Sequence, residues 1–186
     1  MLDLEMLAEL HAKYREAAAL PVADFALGAH RFESSRQTYL MGVVNMSPDS
    51  WYRESVVLNT EAAIRRGRVL AEQGAAIIDV GAESTLAHAA QVGDAAQTSA
   101  LVPVVRELAG AGLCVSVETY HPGVTTACLK AGARILNLTS TVNGGDFFRE
   151  VADFDAGVIL CFVHGENVRA VSDLDLEGDP IAVMHD

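Results

Sequence analysis

Five apolar runs recur along the chain, and each closes on polar residues. The first, Tyr39 to Trp51, reads YLMGVVNMSPDSW; the others are AAIIDVGAEST (75–85), LCVSVETY (113–120), RILNLTS (134–140) and GVILCFVHG (157–165). Short runs rich in Val and Ile and bounded by turn residues read as strands buried on both faces. Helical spacing fills the gaps. Asn59 or Thr60 is placed to cap a helix running to about Gln73, with Ala63, Gly67, Leu70 and Ala71 inward and Gly74 as the stop. Leu101, Val104, Val105 and Leu108 mark a second helix within about 95–109, which Pro103 either starts or kinks. Short helices are expected over Val124–Lys130 and 147–154.

Ahead of the first run, Leu7, Leu10, Tyr14, Ala17 and Ala18 fall on one face and predict an amphipathic helix over 3–19, ending before Pro21. DFALGAHRF then suggests a small hairpin around Gly28. Residues 1–36 therefore form a lead-in and 37–186 the main domain. The segment after the fifth run is acidic and loop-like, with a helix expected near Pro180.

Strand–helix alternation with uniformly apolar strands implies a parallel sheet. Two architectures use one. A five-strand open, doubly wound sheet is complete at this length, whereas a TIM-type (β/α)8 barrel typically needs about 250 residues. On pattern alone the open sheet is favoured.

With 186 residues and a formal charge of −12, the chain suits a single globular domain and is ill matched to nucleic acid or anionic membrane. No apolar run approaches a membrane span, and the first residues lack the basic leader and apolar block of a secretory signal. Cys114, Cys128 and Cys161 have neither metal-ligand spacing nor an even count. A reduced, cytoplasmic setting is expected. The dispersed His88, His121 and His185 suggest no metal cage.

The polar exits of the strands carry Asn45, Glu83, Glu118, Asn137 and His164, and parallel α/β folds build sites at such ends. Ordinary structural roles stand beside the functional ones. Pro48-Asp49-Ser50 has the makings of a simple turn. Asp79 suits a structural acid, Glu83 a cap or a salt bridge across the mouth, and His164 a structural role. The run Asp173, Asp175, Glu177 and Asp179 suits a solvated loop. Trp51 would be stranded in solvent unless it walls a site.

The motifs tip the balance of architectures. MGVVNMSPDSW resembles the first signature of dihydropteroate synthases, and GAAIIDVGAESTLAH resembles their second. SVETY is similar to their S-V-D-T-Y, and ARILNLTS to their strand ending in Asn-Asp. The match runs in order from about residue 25 to 165. The resemblance implies a TIM-type barrel, of which this chain corresponds to about the first five strands. It also implies a reaction: the amine of p-aminobenzoate displaces pyrophosphate from a dihydropterin. By the same resemblance, Asn45 helps hold pyrophosphate and its Mg²⁺. Asp49 steadies the reacting centre, Trp51 and Thr85 flank the p-aminobenzoate slot, and Glu118 and Asn137 pair with the pterin ring.

Several positions depart from the family pattern. Leu86 and Ala87 stand where the family has Arg and Pro, Glu118 where it has Asp, and Leu138 where it has the Asp after the pterin-binding Asn. The family's later strand ends, which bring an acid, a Lys and an Arg–His pair, have no counterpart. These departures lead to three expectations: a homo-oligomer or a complementing chain, weak pterin binding, and negligible dihydropteroate synthesis by this chain alone. A degenerate homologue serving as a pterin-binding or partner subunit is the alternative.

Overall fold

The computed structural model describes residues 3–50, 53–86, 89–139, 145–171 and 180–185. Helices α1 (Leu4–Lys13) and α2 (Arg15–Ala18) come first, then the antiparallel hairpin β1 (Phe25–Leu27) and β2 (His30–Phe32). Five βα-type strands follow: β3 (Leu40–Asn45), β4 (Ala75–Gly81), β5 (Val115–Glu118), β6 (Ile135–Leu138) and β7 (Gly157–Leu160). The helices between them are α3 (Thr60–Glu72), α4 (Asp94–Gly110), α5 (Pro122–Ala131) and α6 (Gly145–Asp153). A second hairpin, β8 (Gly165–Asn167) with β9 (Ala170–Val171), and helix α7 (Pro180–His185) complete the described chain.

The five strands pair in parallel, in the order β3-β4-β5-β6-β7. A doubly wound sheet would reverse its strand order part-way and carry helices on both faces. Here the order never reverses. Val44, Ile78, Val80, Val115, Val117, Leu136 and Leu138 all join one apolar core with side chains of α3, α4, α5 and α6. The open-sheet alternative therefore fails, and the units are those of a (β/α) barrel. The alternation of side chains along each strand does this work. From Gly42 on β3 and Ile77 on β4, even positions of β3, β4 and β6 and odd positions of β5 face the helices, and the other residues face inward.

Local sequence explains most boundaries. The Asn59 side chain accepts from the Ala62 amide at the start of α3, satisfying a donor the helix leaves unpaired. Pro103 lies inside α4 and does not start it. Pro103 and Ser99, whose carbonyl the proline leaves without its helical donor, are both exposed, so that carbonyl is open to solvent. Gly132 stops α5 at φ 114°, a left-handed value that glycine adopts without penalty.

Two expectations are corrected. The helix predicted over 3–19 breaks at Tyr14 into α1 and α2, neither of which buries a residue; without a packed face, little holds a helix of that length straight. The stretch read as loop after residue 165 contains the β8–β9 hairpin. At the foot of the sheet, Leu27 and Phe32 of the first hairpin pack with Cys114 and Ile135.

Candidate active site

Strand register assembles the site. Asn45 is opposite Gly81, Gly81 opposite Glu118, Glu118 opposite Asn137, and Asn137 opposite Ile159. One layer below, Val43, Asp79, Ser116 and Ile135 form the next row. Alternation points both rows the same way, away from the helices. From these rows Asn45, Glu118, Asn137, Val43 and Asp79 line a cavity of about 530 Å³ together with Met41, Ser50, Glu83, Ser84 and Thr85.

Gly81 is the gap in the upper row. A β-carbon there would lie 2.8 Å from Glu118 Oε2 and 3.4 Å from Asn45 Oδ1. The longer acid at 118 thus extends sideways into the space that glycine leaves, toward Asn45. Burial, and then the carboxylates of Asp79 and Glu83, push the Glu118 carboxyl up to about 7. Near neutral pH it both donates and accepts.

Asn137 Nδ2 donates to Asp79 Oδ2 at 3.2 Å. With its nitrogen committed to Asp79, the amide keeps its oxygen for another partner. Asp79 itself is buried. Burial pushes its carboxyl up, while Ser116 and Asn137 pull the other way.

Asn45 is buried and donates through Nδ2 to Ser55 Oγ at 2.6 Å. Beyond the single 3-10 turn Arg53–Ser55, Val56 bridges back to Asn45. Ser84 Oγ donates to the Asp49 carbonyl at 3.1 Å, joining the loops after β3 and β4. The side chain of Asp49 is exposed and does not line the cavity. Trp51 and His88 lie outside the described residues, and His164 is exposed beyond β7.

Glu83 occupies the mouth. It accepts from the Val92 amide at 3.2 Å, Gln97 Nε2 at 2.9 Å and Arg169 Nη1 at 2.9 Å. His121 Nε2 lies 3.5 Å from it, and His121 Nδ1 lies 2.7 Å from Asp94. Burial and Glu83 push the neighbouring Tyr120 hydroxyl up.

Residues 41–179 match the family described as pterin binding enzyme. The chain belongs to that family. It is 36% identical over 127 residues to a dihydropteroate synthase of Mycobacterium leprae, covering 67% of this chain and 44% of that protein. Its fold superposes on Burkholderia cenocepacia dihydropteroate synthase complexed with 7,8-dihydropteroate at a TM-score of 0.72, with 25% identity, covering 87% of this chain and 54% of the other. Xanthomonas albilineans dihydropteroate synthase with 4-aminobenzoic acid gives a TM-score of 0.66 and 30% identity, covering 76% and 52%. The chain thus spans about half the length of these relatives, and its sheet is the matching part of their barrel.

Against the family pattern, the structure brings Asn45, Thr85, Glu118 and Asn137 to one cavity and leaves the Asp49 side chain outside it. Asp79 and Arg169 were not singled out for the site from the sequence. Asp79 was within reach of period-two counting from Gly81, two residues on. Arg169 was not, since its partner Glu83 is 86 residues away.

Proposed function

We propose that the chain is a dihydropteroate-synthase-type pterin-binding protein. Its family reaction condenses p-aminobenzoate with a dihydropterin pyrophosphate in folate biosynthesis. One observation carries the reading: register sets Asn45, Glu118 and Asn137 in a single inward row above a cavity of about 530 Å³. A pterin ring edge alternates donors and acceptors. The Asn137 oxygen accepts from ring N–H groups, and Glu118, titrating near neutrality, complements either a donor or an acceptor. Asn137 is held for this task by Asp79. Thr85 lines the outer part of the cavity, where the family resemblance puts the p-aminobenzoate slot.

The donor set fits a Mg²⁺ held mainly by substrate. Asn45 commits its nitrogen to Ser55 and keeps its amide oxygen, a hard ligand of the kind Mg²⁺ takes beside phosphate oxygens and waters. Among the described residues no group of three or more His, Cys, Asp or Glu side chains is arranged to hold a metal. When bound, Mg²⁺ would supply positive charge to the leaving pyrophosphate.

A second reading, an inactive pterin-binding or partner subunit, has its own support. The described cavity lining holds three carboxylates, Asp79, Glu83 and Glu118, and no Lys or Arg. Pyrophosphate leaving such a site gains little from the protein. The homo-oligomer or complementing chain belongs to the proposal as well. Leu160 of β7 and Leu40 of β3, at the two sheet edges, are 72% and 60% exposed, and exposed apolar edges invite pairing. No described helix is long and apolar enough to cross a membrane, and the cysteines are free thiols, in keeping with a cytoplasmic setting.

Calorimetric titration with a pterin tests what the two readings share, and saturable binding is expected. Turnover of dihydropterin pyrophosphate with p-aminobenzoate separates them. Negligible turnover is expected, and robust turnover would overturn the inactive reading.

A further inference from the structure

Arg169 reaches the site from the turn between β8 and β9. Its side chain is only 8% exposed, as is that of Glu83, to which it donates at 2.9 Å. The same guanidinium donates to the Ser84 carbonyl at 3.3 Å, the Ala90 carbonyl at 3.4 Å and the Ala89 carbonyl. These carbonyls belong to the loop after β4, outside any described strand or helix. Buried backbone acceptors need a donor from somewhere, and here one side chain serves those of Ser84 and Ala89, with the exposed Ala90 carbonyl beside them.

The contact reaches further than one loop. Ser84, whose carbonyl accepts from Arg169, donates its hydroxyl to the Asp49 carbonyl of the loop after β3. Glu83, fixed by Arg169, also holds Gln97 Nε2 at the start of α4. Gln97 Oε1 accepts in turn from Thr119 Oγ1 just beyond β5. A single residue of the second hairpin thus ties together the segments that follow β3, β4 and β5.

We infer that Arg169 is a positioning residue, fastening the hairpin across the cavity mouth so that Ser84, Thr85 and the loop after β3 hold their places. The idea rests on the pterin and p-aminobenzoate reading of the cavity, and it adds a division of labour. The ring edge is read by Glu118 and Asn137 on rigid strand ends. The outer part is shaped by loops that depend on Arg169. A guanidinium is needed because its fork of donors serves a carboxylate and several carbonyls together; a lysine ammonium would keep the ion pair and lose most of the carbonyl contacts.

Hydrogen exchange on the full chain, with R169A and R169K, tests this. In R169A the amides of residues 46, 47, 49, 50, 82–86 and 89–93 should exchange about 10–100-fold faster, while those of β4 and β5 stay within about threefold of wild type. R169K should fall between. Loosening of the strands and the loops alike, or no change at 46–50, would overturn the strap. Titrations then compare pterin, which needs only the ring edge, with 7,8-dihydropteroate, which also fills the outer part. R169A should keep pterin affinity within about twofold and lose at least about fivefold for dihydropteroate; equal losses would contradict the division. If wild type binds neither compound, the pterin reading fails, and the exchange pattern alone still decides whether Arg169 straps the loops.

Discussion

The two faces of the five-stranded sheet are one residue apart and chemically opposite. Val44, Val80, Val117 and Leu136 turn outward and are fully buried beneath the helices. Their chain neighbours Asn45, Asp79, Glu118 and Asn137 turn inward and line the cavity. The outer face has no polar atom to satisfy, so its contribution is packing and apolar burial. The inner face buries the polar side chains of Asp79 and Ser116 and carries a Glu118 carboxyl raised to about 7. Folding alone would not favour that arrangement. The outer face is the scaffold, and the inner face gives up stability to keep hydrogen-bonding groups in the cavity.

The largest effect should come from the outer face. Leu136→Ala removes most of a fully buried side chain and should lower the unfolding free energy by roughly 2–5 kcal/mol, read from urea denaturation. The adjacent Asn137→Ala should cost no more than about 1–2 kcal/mol. Comparable losses from both would erase the distinction between the faces.

Glu118 gives the inner face a pH signature. Its carboxyl rises from 4.5 to about 7 on folding, so the folded chain holds a proton that the unfolded chain releases. The associated stability is present below about pH 4.5 and disappears as pH rises through 7. Glu118→Gln cannot ionise and should be the more stable protein at pH 8, by roughly 2–4 kcal/mol relative to its standing at pH 4. A difference between variant and wild type that is flat across this range would mean that Glu118 is not buried among acids.

These contrasts show which parts of the molecule the sequence makes legible. Each outer-face position sits in an apolar run, so the five strands and their parallel sense follow from pattern. Pattern alone still favoured the wrong architecture, because strand order and the face each helix covers are tertiary facts; motif resemblance supplied the barrel. That Asn45, Glu118 and Asn137 share one rim was readable because each stands at the polar end of an apolar run. The pairing of Asn137 with Asp79 spans 58 residues and depends on register, which no local window contains. The β8–β9 hairpin is shorter still in signal: its strands have three and two residues, too few for alternation to register.

The sheet edge should give the smallest change in stability. Leu160 on β7 is 72% exposed, so Leu160→Lys should alter the unfolding free energy by no more than about 0.5 kcal/mol. Wild type should scatter light as a dimer or larger assembly at low micromolar concentration, and the variant should shift toward monomer. A monodisperse wild-type monomer would count against edge pairing.

The central claim is that the inward row reads one edge of a pterin ring, and titration of wild type and Asn137→Ala with a pterin tests it most directly. The expected wild-type dissociation constant is of order 0.1–1 mM, equivalent to about 4–5.5 kcal/mol. Asn137→Ala should bind about tenfold more weakly, while Glu61→Gln, on the exposed side of α3, should match wild type. Absence of saturable binding, or equal affinity in wild type and Asn137→Ala, would contradict the account.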